Sequence, residues 1–436
     1  MSVFGRGLTL IVCLGVAVPN GAAQAQSARG SLASASSASG DLFARDRSVA
    51  VLERPHPEYE AVGLPFGTFT AFPRLQIDGE YSDNIYAVST GAVDDFIVRI
   101  KPEISIESGW SRHFFGAYAR GSLSRYNDYS SENADEWGVG ANGQIDFTRA
   151  ANITLGVDYA SLVEPRSSSN APTTTVKPVE YDTAQAFLAG TRVSGRLKLS
   201  ARGDVRSFDY KDGVTAGGFV VDQDNRDRTV SSLTGRVDYA VSPATAWFVS
   251  ASGNKRAYDV ASTPTSAARD SSGYEILAGA NFELGAVVRG EVAAGYISQQ
   301  FDDAAYGTID GFGARGRLEW FPTQLTTVTA TASRTVEDSG IQGSGGYLSS
   351  AVGVSVDHEL LRNVIVSGQV SYVQDAYDGI DRDDDLLAAR ASATYLANRR
   401  LGVTLAASHT ERSSSGADSG VEFTDNRLSV SLVSQF

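Results

Sequence analysis

The sequence of 436 residues contains only one cysteine, one methionine and four histidines. So few sulfur and imidazole groups leave no material for a disulfide framework and little for a zinc-type metal site. Basic residues are also in the minority, with 37 Lys and Arg against 51 Asp and Glu and a net charge of −14. This balance argues against a nucleic-acid partner. We therefore predict no nucleic-acid binding and no cofactor.

The sequence also lacks an apolar run long enough for an ordinary membrane helix, which needs about 18 or more residues. The N-terminal apolar stretch at 8–18 follows Arg6 and precedes Ala23-Gln24-Ala25, a small-x-small cleavage site. This pattern predicts a secretory signal peptide over residues 1–25. Cys13 resembles a lipoprotein cysteine, but Val12 occupies a position that needs a small residue, so we expect Cys13 to leave with the signal.

What the sequence does contain, from residue 68 onward, is alternation of polar and apolar residues. In 196–206 the even positions are polar and the odd positions are Leu, Ala, Gly or Val, a period that no helix produces. Counting such segments predicts eighteen strands. They are centred near residues 76, 101, 118, 142, 156, 186, 201, 233, 251, 278, 293, 315, 330, 353, 368, 391, 405 and 430.

The connections between these strands alternate between short and long. Tight turns are predicted near 109–111, 148–152, 194–195, 242–244, 284–286, 322–324, 360–363 and 398–400. Long polar connections are predicted at 162–179, 211–228, 257–272, 337–346, 376–385 and 410–425. An even number of strands with short and long connections in alternation is typical of a bacterial outer-membrane barrel whose chain ends both lie in the periplasm.

The last strand ends in the aromatic residue Phe436, after alternating apolar residues at Leu428, Val430 and Leu432. Such a terminal strand resembles the assembly signal of outer-membrane barrels. Further aromatics near strand ends fit interfacial girdles. They are Trp110, Trp137, Trp247, Trp320, Phe321 and Tyr395.

The predicted fold is all-β, a transmembrane antiparallel up-and-down β-barrel of about 18 strands in the outer membrane of a Gram-negative cell. The predicted organisation is a signal peptide at 1–25, a disordered periplasmic lead at 26–40, a periplasmic N-terminal segment at 41–67 and the barrel at 68–436. The lead is almost wholly Ser, Ala, Gly, Gln and Arg, which cannot bury enough surface to fold. Expected partners are outer-membrane lipid and the barrel assembly machinery.

A distinctive motif precedes and enters the first strand. It runs from Arg54-Pro-x-Pro-Glu-Tyr to a Gly-x-Phe element and a Tyr-x-x-Asn tail. Its residues are Arg54, Pro55, Pro57, Glu58, Tyr59, Gly63, Gly67, Phe69, Tyr81 and Asn84. The motif resembles the start of proteins in the Putative beta-barrel porin 2 family. This resemblance implies an outer-membrane component of an exopolysaccharide secretion system, acting beside a periplasmic polysaccharide-export protein.

Physical reasoning alone leaves two interpretations of residues 41–67. The prolines at 55, 57 and 65 fix extended backbone, so the segment can lie as a shaped strap at the periplasmic mouth. It can equally be a leader to the first strand without contacts of its own.

No group of residues predicts an enzyme or a metal site. The histidines His56, His113, His358 and His409 are scattered. The acidic runs 383–385 and 302–303 lack the spacing of a dedicated calcium loop and are interpreted as a solvated rim. We therefore predict no catalytic residues.

The alternation also predicts a lumen in which basic residues outnumber acids. The pore-lining candidates are Arg99, Lys101, Arg120, Arg196, Lys198, Arg202, Arg206, Arg315, Arg317 and Arg390. They either brace the barrel in ion pairs or guide an anionic or hydroxyl-rich solute. The functional hypothesis is polysaccharide passage in exopolysaccharide export, and the alternatives are a general diffusion porin for small solutes and a structural or adhesive surface barrel.

Overall fold

The computed structural model of the protein describes residues 49–260 and 267–436. The predicted signal peptide at 1–25 and the predicted lead at 26–40 lie outside the described residues. The N-terminal segment is described from residue 49.

Eighteen long antiparallel strands form one closed barrel. They are β2 (Phe69–Ser82), β3 (Asp95–Ser108), β4 (Phe114–Tyr126), β5 (Ala134–Thr148), β6 (Ala151–Val163), β7 (Glu180–Ser194), β8 (Leu197–Tyr210), β11 (Arg228–Ser242), β12 (Thr245–Tyr258), β13 (Ser271–Leu284), β14 (Val288–Phe301), β15 (Thr308–Thr323), β16 (Thr326–Asp338), β17 (Gly346–Leu361), β18 (Val364–Tyr377), β19 (Asp383–Asn398), β20 (Leu401–Ser415) and β21 (Phe423–Gln435). The ring closes because β2 pairs with β21. All eighteen predicted strand centres fall inside these strands, so the predicted fold class is confirmed.

Three minor strands complete the sheet structure. β1 (Leu64–Phe66) forms a hairpin with the start of β2, while β9 (Gly213–Val214) and β10 (Val220–Val221) pair with each other inside the long connection from β8 to β11. Short 3-10 turns occur at Val51–Glu53, Ser130–Glu132 and Asp224–Arg226. In the described part of the chain, no helix is both long enough and apolar enough to span a membrane.

Apolar side chains face outward and polar side chains face inward, which is the reverse of a soluble protein. Leu233 is 66% exposed and Leu188 is 58% exposed, whereas Lys198 is 1% exposed. Period-two alternation therefore separates a lipid face from a polar interior, as a membrane barrel requires.

The connections alternate in length as predicted, and each long connection exceeds the short turns on either side of it. The residues before β2 and after β21 lie at the same end as the short turns. Gly195 and Gly285 have φ of +59° and +60° in two of these turns. Tight hairpins need positive φ, which glycine adopts without strain. We call the two openings of the barrel the short-turn end and the long-loop end.

Candidate functional site in the barrel lumen

The inward face of β2 and β3 carries a ladder of ion pairs. Arg99 lies 2.7 Å from Glu80, and Lys101 lies 2.8 Å from Asp78. Both pairs run diagonally between the strands, because the register places Asp78 directly opposite Arg99. The two predicted pore-lining residues are therefore on the inner wall.

The strand register places most of the other candidates inside as well. Those on inward positions of β4, β8, β15 and β19 are Arg120, Lys198, Arg202, Arg206, Arg315, Arg317 and Arg390. Arg196 is the exception, and its placement in the wall was wrong. It lies exposed in the two-residue turn between β7 and β8, because the polar-apolar pattern continues into the turn after the strand has ended.

Many of the inward arginines are held by carboxylates close to them. Arg202 lies 3.0 Å from Asp204, Arg315 lies 3.0 Å from Glu275, and Arg317 lies 2.7 Å from Glu319. For these residues the structure supports the bracing role, one of the two interpretations that the sequence pattern allows. Paired charges line the lumen without giving it a large net charge.

One side of the lumen combines arginine with aromatic rings. On the wall formed by β7, β8, β11 and β12, the guanidinium of Arg202 lies 4.1 Å from the ring centroid of Phe187. Arg236 lies 3.7 Å from the centroid of Phe248. Such contacts are attractive because the ring face is electron-rich. We call this side the arginine–aromatic wall.

The wall formed by β18 to β21 is different, because its middle consists mainly of small hydroxyl side chains besides Arg390. The inward hydroxyl residues there are Ser367, Ser371, Ser392, Thr394, Thr404, Ser408, Thr410, Ser429 and Ser431, and Gln369, Ala388, Ala406 and Arg427 lie among them. Thr394 and Thr404 share a hydrogen bond of 3.0 Å across neighbouring strands. We call this side the hydroxyl wall.

At the long-loop end, residues 164–179 between β6 and β7 cross the opening, and we call them the crossing segment. Arg412 of β20 donates a hydrogen bond of 3.1 Å to the carbonyl of Ser167. The N–H of Gly340, between β16 and β17, donates to Oδ1 of Asn170 at 2.9 Å. Because β16 and β20 are six or more strands away from β6 and β7 around the barrel, the segment narrows this mouth.

Buried ion pairs fix the beginning of the crossing segment. Arg226 lies 2.7 Å from Glu164, and both side chains are less than 10% exposed. Burial acts to lower the pKa of Arg226, but the hydrogen bond and the charge of Glu164 outweigh it and raise the pKa overall. Arg166 forms a second pair with Glu132 at 2.8 Å. The long-loop end is therefore held by charges with little access to water.

At the short-turn end, residues 49–63 run across the mouth, and we call them the strap. The N–H of the fully buried Val51 donates to the hydroxyl of Thr327 at 2.9 Å. Glu53 pairs with Arg289 and Arg54 pairs with Glu359, each at 2.6 Å. The first half of the strap therefore lies against inward-facing residues of β14, β16 and β17.

The second half of the strap continues to the seam of the barrel. Arg399 donates to the carbonyl of Pro57 at 3.0 Å, and the side chain of Gln435 donates to the carbonyl of Tyr59 at 3.1 Å. The N–H of Gly63 donates to the carbonyl of Phe436 at 3.1 Å. These contacts favour the strap interpretation over a leader without contacts.

The remaining residues of the motif build the first hairpin and the loop after β2. Gly63 has φ of +76°, and Gly67 has φ of +62° in the turn between β1 and β2. Phe69 packs edge-on against Trp110, with centroids 5.6 Å apart, and Asn84 is 2% exposed and bonded to the backbone of Val88 and Thr424. Pro55, Glu58 and Tyr81 complete the motif, with Glu58 exposed and the Tyr81 hydroxyl donating to Asp94.

Aromatic residues form the outer girdles, with one correction. Trp110, Trp137, Trp247, Trp320 and Tyr395 are all exposed on the outside. Phe321 was predicted with them but is only 9% exposed, and it lies 5.4 Å from the guanidinium of Arg289. Trp320 faces outward, so the next residue must face inward.

An acidic cluster that the sequence pattern does not predict lies in the connection from β8 to β11. The carboxylates of Asp212, Asp222 and Asp224 are exposed and have ligand atoms within 4.8 Å of one another. The residues are up to twelve positions apart, so only the folded loop brings them together. The mutual repulsion of these charges raises the pKa of Asp224.

A closed eighteen-stranded barrel with an apolar outer face, girdles and a charged, narrowed lumen defines an outer-membrane β-barrel of the porin type. Residues 56–436 match the model of the family described as Putative beta-barrel porin 2, and the chain belongs to this family. The predicted family is thus confirmed. A comparison with curated protein sequences finds no significant match.

Solved structures of similar fold come from outer-membrane proteins of Pseudomonas. OpdK of Pseudomonas aeruginosa, solved with vanillate, is 13% identical, with 84% of this chain and 99% of that chain covered and a TM-score of 0.43. A BenF-like porin from Pseudomonas fluorescens Pf-5 is 11% identical, with 84% and 99% covered and a TM-score of 0.46. A mutant of the ferric enterobactin receptor PfeA from P. aeruginosa is 7% identical, with 84% and 80% covered and a TM-score of 0.46.

Proposed function

We propose that this barrel passes polysaccharide across the outer membrane as part of an exopolysaccharide export system. The observation that carries the proposal is the division of the lumen into an arginine–aromatic wall and a hydroxyl wall. Aromatic rings offer flat surfaces for sugar rings, and hydroxyl groups exchange hydrogen bonds with sugar hydroxyls without a fixed donor direction. The resemblance of the Arg54 to Asn84 motif to its family is the second support.

The strap gives this proposal a mechanical element. In a barrel of this class the short turns face the periplasm, after a signal peptide has directed export and been removed. The strap then closes the lumen from the periplasmic side, where a polysaccharide-export protein would act. In this mechanism the partner displaces the strap and polymer enters, while the arginine–aromatic wall guides anionic or hydroxyl-rich chain segments.

A general diffusion porin is the second candidate, and the crossing segment favours it. A mouth narrowed by a chain segment suits small solutes better than polymer. If the protein is such a porin, the purified barrel should conduct ions without a partner.

A gene deletion separates the two functions. Export predicts that the deletion strain still synthesises polymer but displays no surface polysaccharide, measured by lectin binding to intact cells, and that the intact gene restores it. Unchanged surface polysaccharide would exclude export and favour the porin.

The role of the arginine–aromatic wall is tested by ion selectivity in planar bilayers. Changing Arg202 and Arg206 together to glutamine should reduce the preference for chloride over potassium, because low-dielectric walls concentrate the field of charges inside a channel. Arg196→Gln is the matched control, since Arg196 lies in a turn outside the wall. An equal loss of selectivity in both variants would contradict a role for the wall.

A further inference from the structure

A cavity of about 210 Å³ lies inside the long-loop end, between the arginine–aromatic wall and the crossing segment. Strands β7, β8 and β12 contribute Tyr181, Arg206, Tyr210 and Tyr258, and the crossing segment contributes Asn170. Its volume equals about seven water molecules and is below the range of drug-sized pockets. It has room for one small polar ring or for a short anionic group.

Aromatic rings make the frame of this cavity rigid. Tyr181 and Tyr210 are stacked, with centroids 4.9 Å apart and ring planes 16° from parallel. The guanidinium groups of Arg206 and Arg228 lie 4.6 Å and 4.3 Å from the centroid of Phe208. The positions of both cations are therefore set before any ligand arrives.

The charges on the cavity lining leave a small positive excess. Four arginines and three carboxylates line it. Arg226 pairs with Glu164 at 2.7 Å, and Arg228 pairs with Asp338 at 2.9 Å. Within residues 49–260 and 267–436, neither Arg206 nor Arg269 has a carboxylate at ion-pair distance. Arg269 is buried and donates to the backbone carbonyls of Ser339 and Asn225, whereas Arg206 is solvent-exposed.

We propose that this cavity binds one acidic sugar residue, a uronate, with Arg206 as the group that receives its carboxylate. The proposal deepens the proposed function and rests on it, since it names an anionic polysaccharide as the substrate class. A guanidinium forms two parallel hydrogen bonds with a carboxylate. The single excess positive charge matches one carboxylate, while the tyrosine rings and the Asn170 amide suit the sugar ring and its hydroxyls.

The test is calorimetric titration of the full barrel, purified in detergent, with trigalacturonate as the probe and uncharged maltotriose as the comparison. The unaltered protein should bind trigalacturonate and not maltotriose. Arg206→Gln should weaken binding about tenfold or more, the usual effect of losing a hydrogen-bonded charge partner. Arg206→Lys keeps the charge but loses the paired geometry, so it should give an intermediate affinity.

Arg120→Gln is the matched control. Arg120 is also an inward arginine next to an aromatic ring, 5.4 Å from the centroid of Tyr118, but it lies outside the cavity. Its loss should leave trigalacturonate binding unchanged. A heat-dependent shift on gels establishes that each variant has formed the barrel.

Several outcomes would overturn the proposal. These are an absence of trigalacturonate binding, equal affinity in the Arg206→Gln protein, equal losses in the Arg120→Gln protein, and binding of inorganic phosphate as tight as that of trigalacturonate. The last result would identify a plain anion site without sugar recognition. Because binding is measured on purified protein, normal surface polysaccharide in the deletion strain would remove the export function and leave this result standing.

Discussion

The two ends of the lumen are both narrowed by the chain itself, but they are held in different ways. At the long-loop end the crossing segment is anchored by Arg226 and Glu164, whose side chains are 6% and 8% exposed. At the short-turn end each ion pair has one partner that is more accessible to water: Arg54 is 24% exposed against 6% for Glu359, and Arg289 is 29% exposed against 14% for Glu53. Breaking a buried pair leaves an uncompensated charge, whereas pairs with more access to water contribute less. The strap is therefore the closure that opens at lower cost.

The largest expected effect is at the long-loop end. Glu164→Gln leaves Arg226 buried without its carboxylate, which costs about 3–5 kcal/mol and should detach the crossing segment. Trypsin should then cut the purified barrel after Arg166, which is followed by Ser167, much faster than in the unaltered protein. Glu180→Gln, an exposed change with no ion pair to lose, is the control. Unchanged protection in the Glu164→Gln protein would show that the segment is held by other contacts.

The strap should respond to a milder change. Replacing Glu53 and Arg54 together by glutamine removes two pairs in which the arginine has access to water, so the change should cost less than breaking the buried Arg226–Glu164 pair. We expect a higher open probability in planar bilayers with little change in barrel stability. Glu58→Gln, at an exposed position of the strap, should have no effect.

The reverse experiment sharpens the same point. A disulfide between Val51→Cys and Thr327→Cys should hold the strap in place and keep conductance low until a reductant is added. If neither the double glutamine variant nor the disulfide changes the conductance, the strap does not close the short-turn end.

Deletion of Phe436, at the short-turn end, should impair insertion of the barrel into the membrane. It removes the terminal aromatic and the carbonyl that accepts the Gly63 N–H. We expect less heat-modifiable, membrane-inserted protein, with signal cleavage after Ala25 unaffected. Phe436→Tyr keeps an aromatic terminus and should restore insertion, and normal insertion of the truncated chain would contradict the assembly role.

The smallest perturbation tests which end faces outward. Ala216→Cys in the connection from β8 to β11 should react with an impermeant maleimide on intact cells, whereas Arg196→Cys in a short turn should not. Equal labelling at both positions would contradict the assignment of the long-loop end to the cell exterior.

The strands could be predicted because each one carries its own signal. Alternation of polar and apolar residues over about ten positions is enough to place Leu197 outside and Lys198 inside, without information from the rest of the chain. The lengths of the connections can also be predicted from short stretches of sequence. Two errors came from the ends of strands, where Arg196 belongs to a turn and Phe321 follows an outward Trp320. The second error was avoidable, because adjacent residues in a strand face opposite sides.

The closures could not be predicted, because they depend on contacts between distant parts of the chain. Asn170 meets Gly340, and Val51 meets Thr327, across separations of 170 and 276 residues. Nothing near Arg206 in the sequence distinguishes it from Arg202, which has Asp204 as a partner. Asp204 is two residues from each of these arginines, so the sequence pattern does not show which of them it braces.

The strap has a further consequence for the order of assembly. It precedes the barrel in the chain, so it enters the periplasm before any strand does. The barrel groups that hold it, from Arg289 to Phe436, belong to the later half of the sequence. We therefore expect the strap to dock after the strands, once β2 has paired with β21 and the groups that hold it are in place.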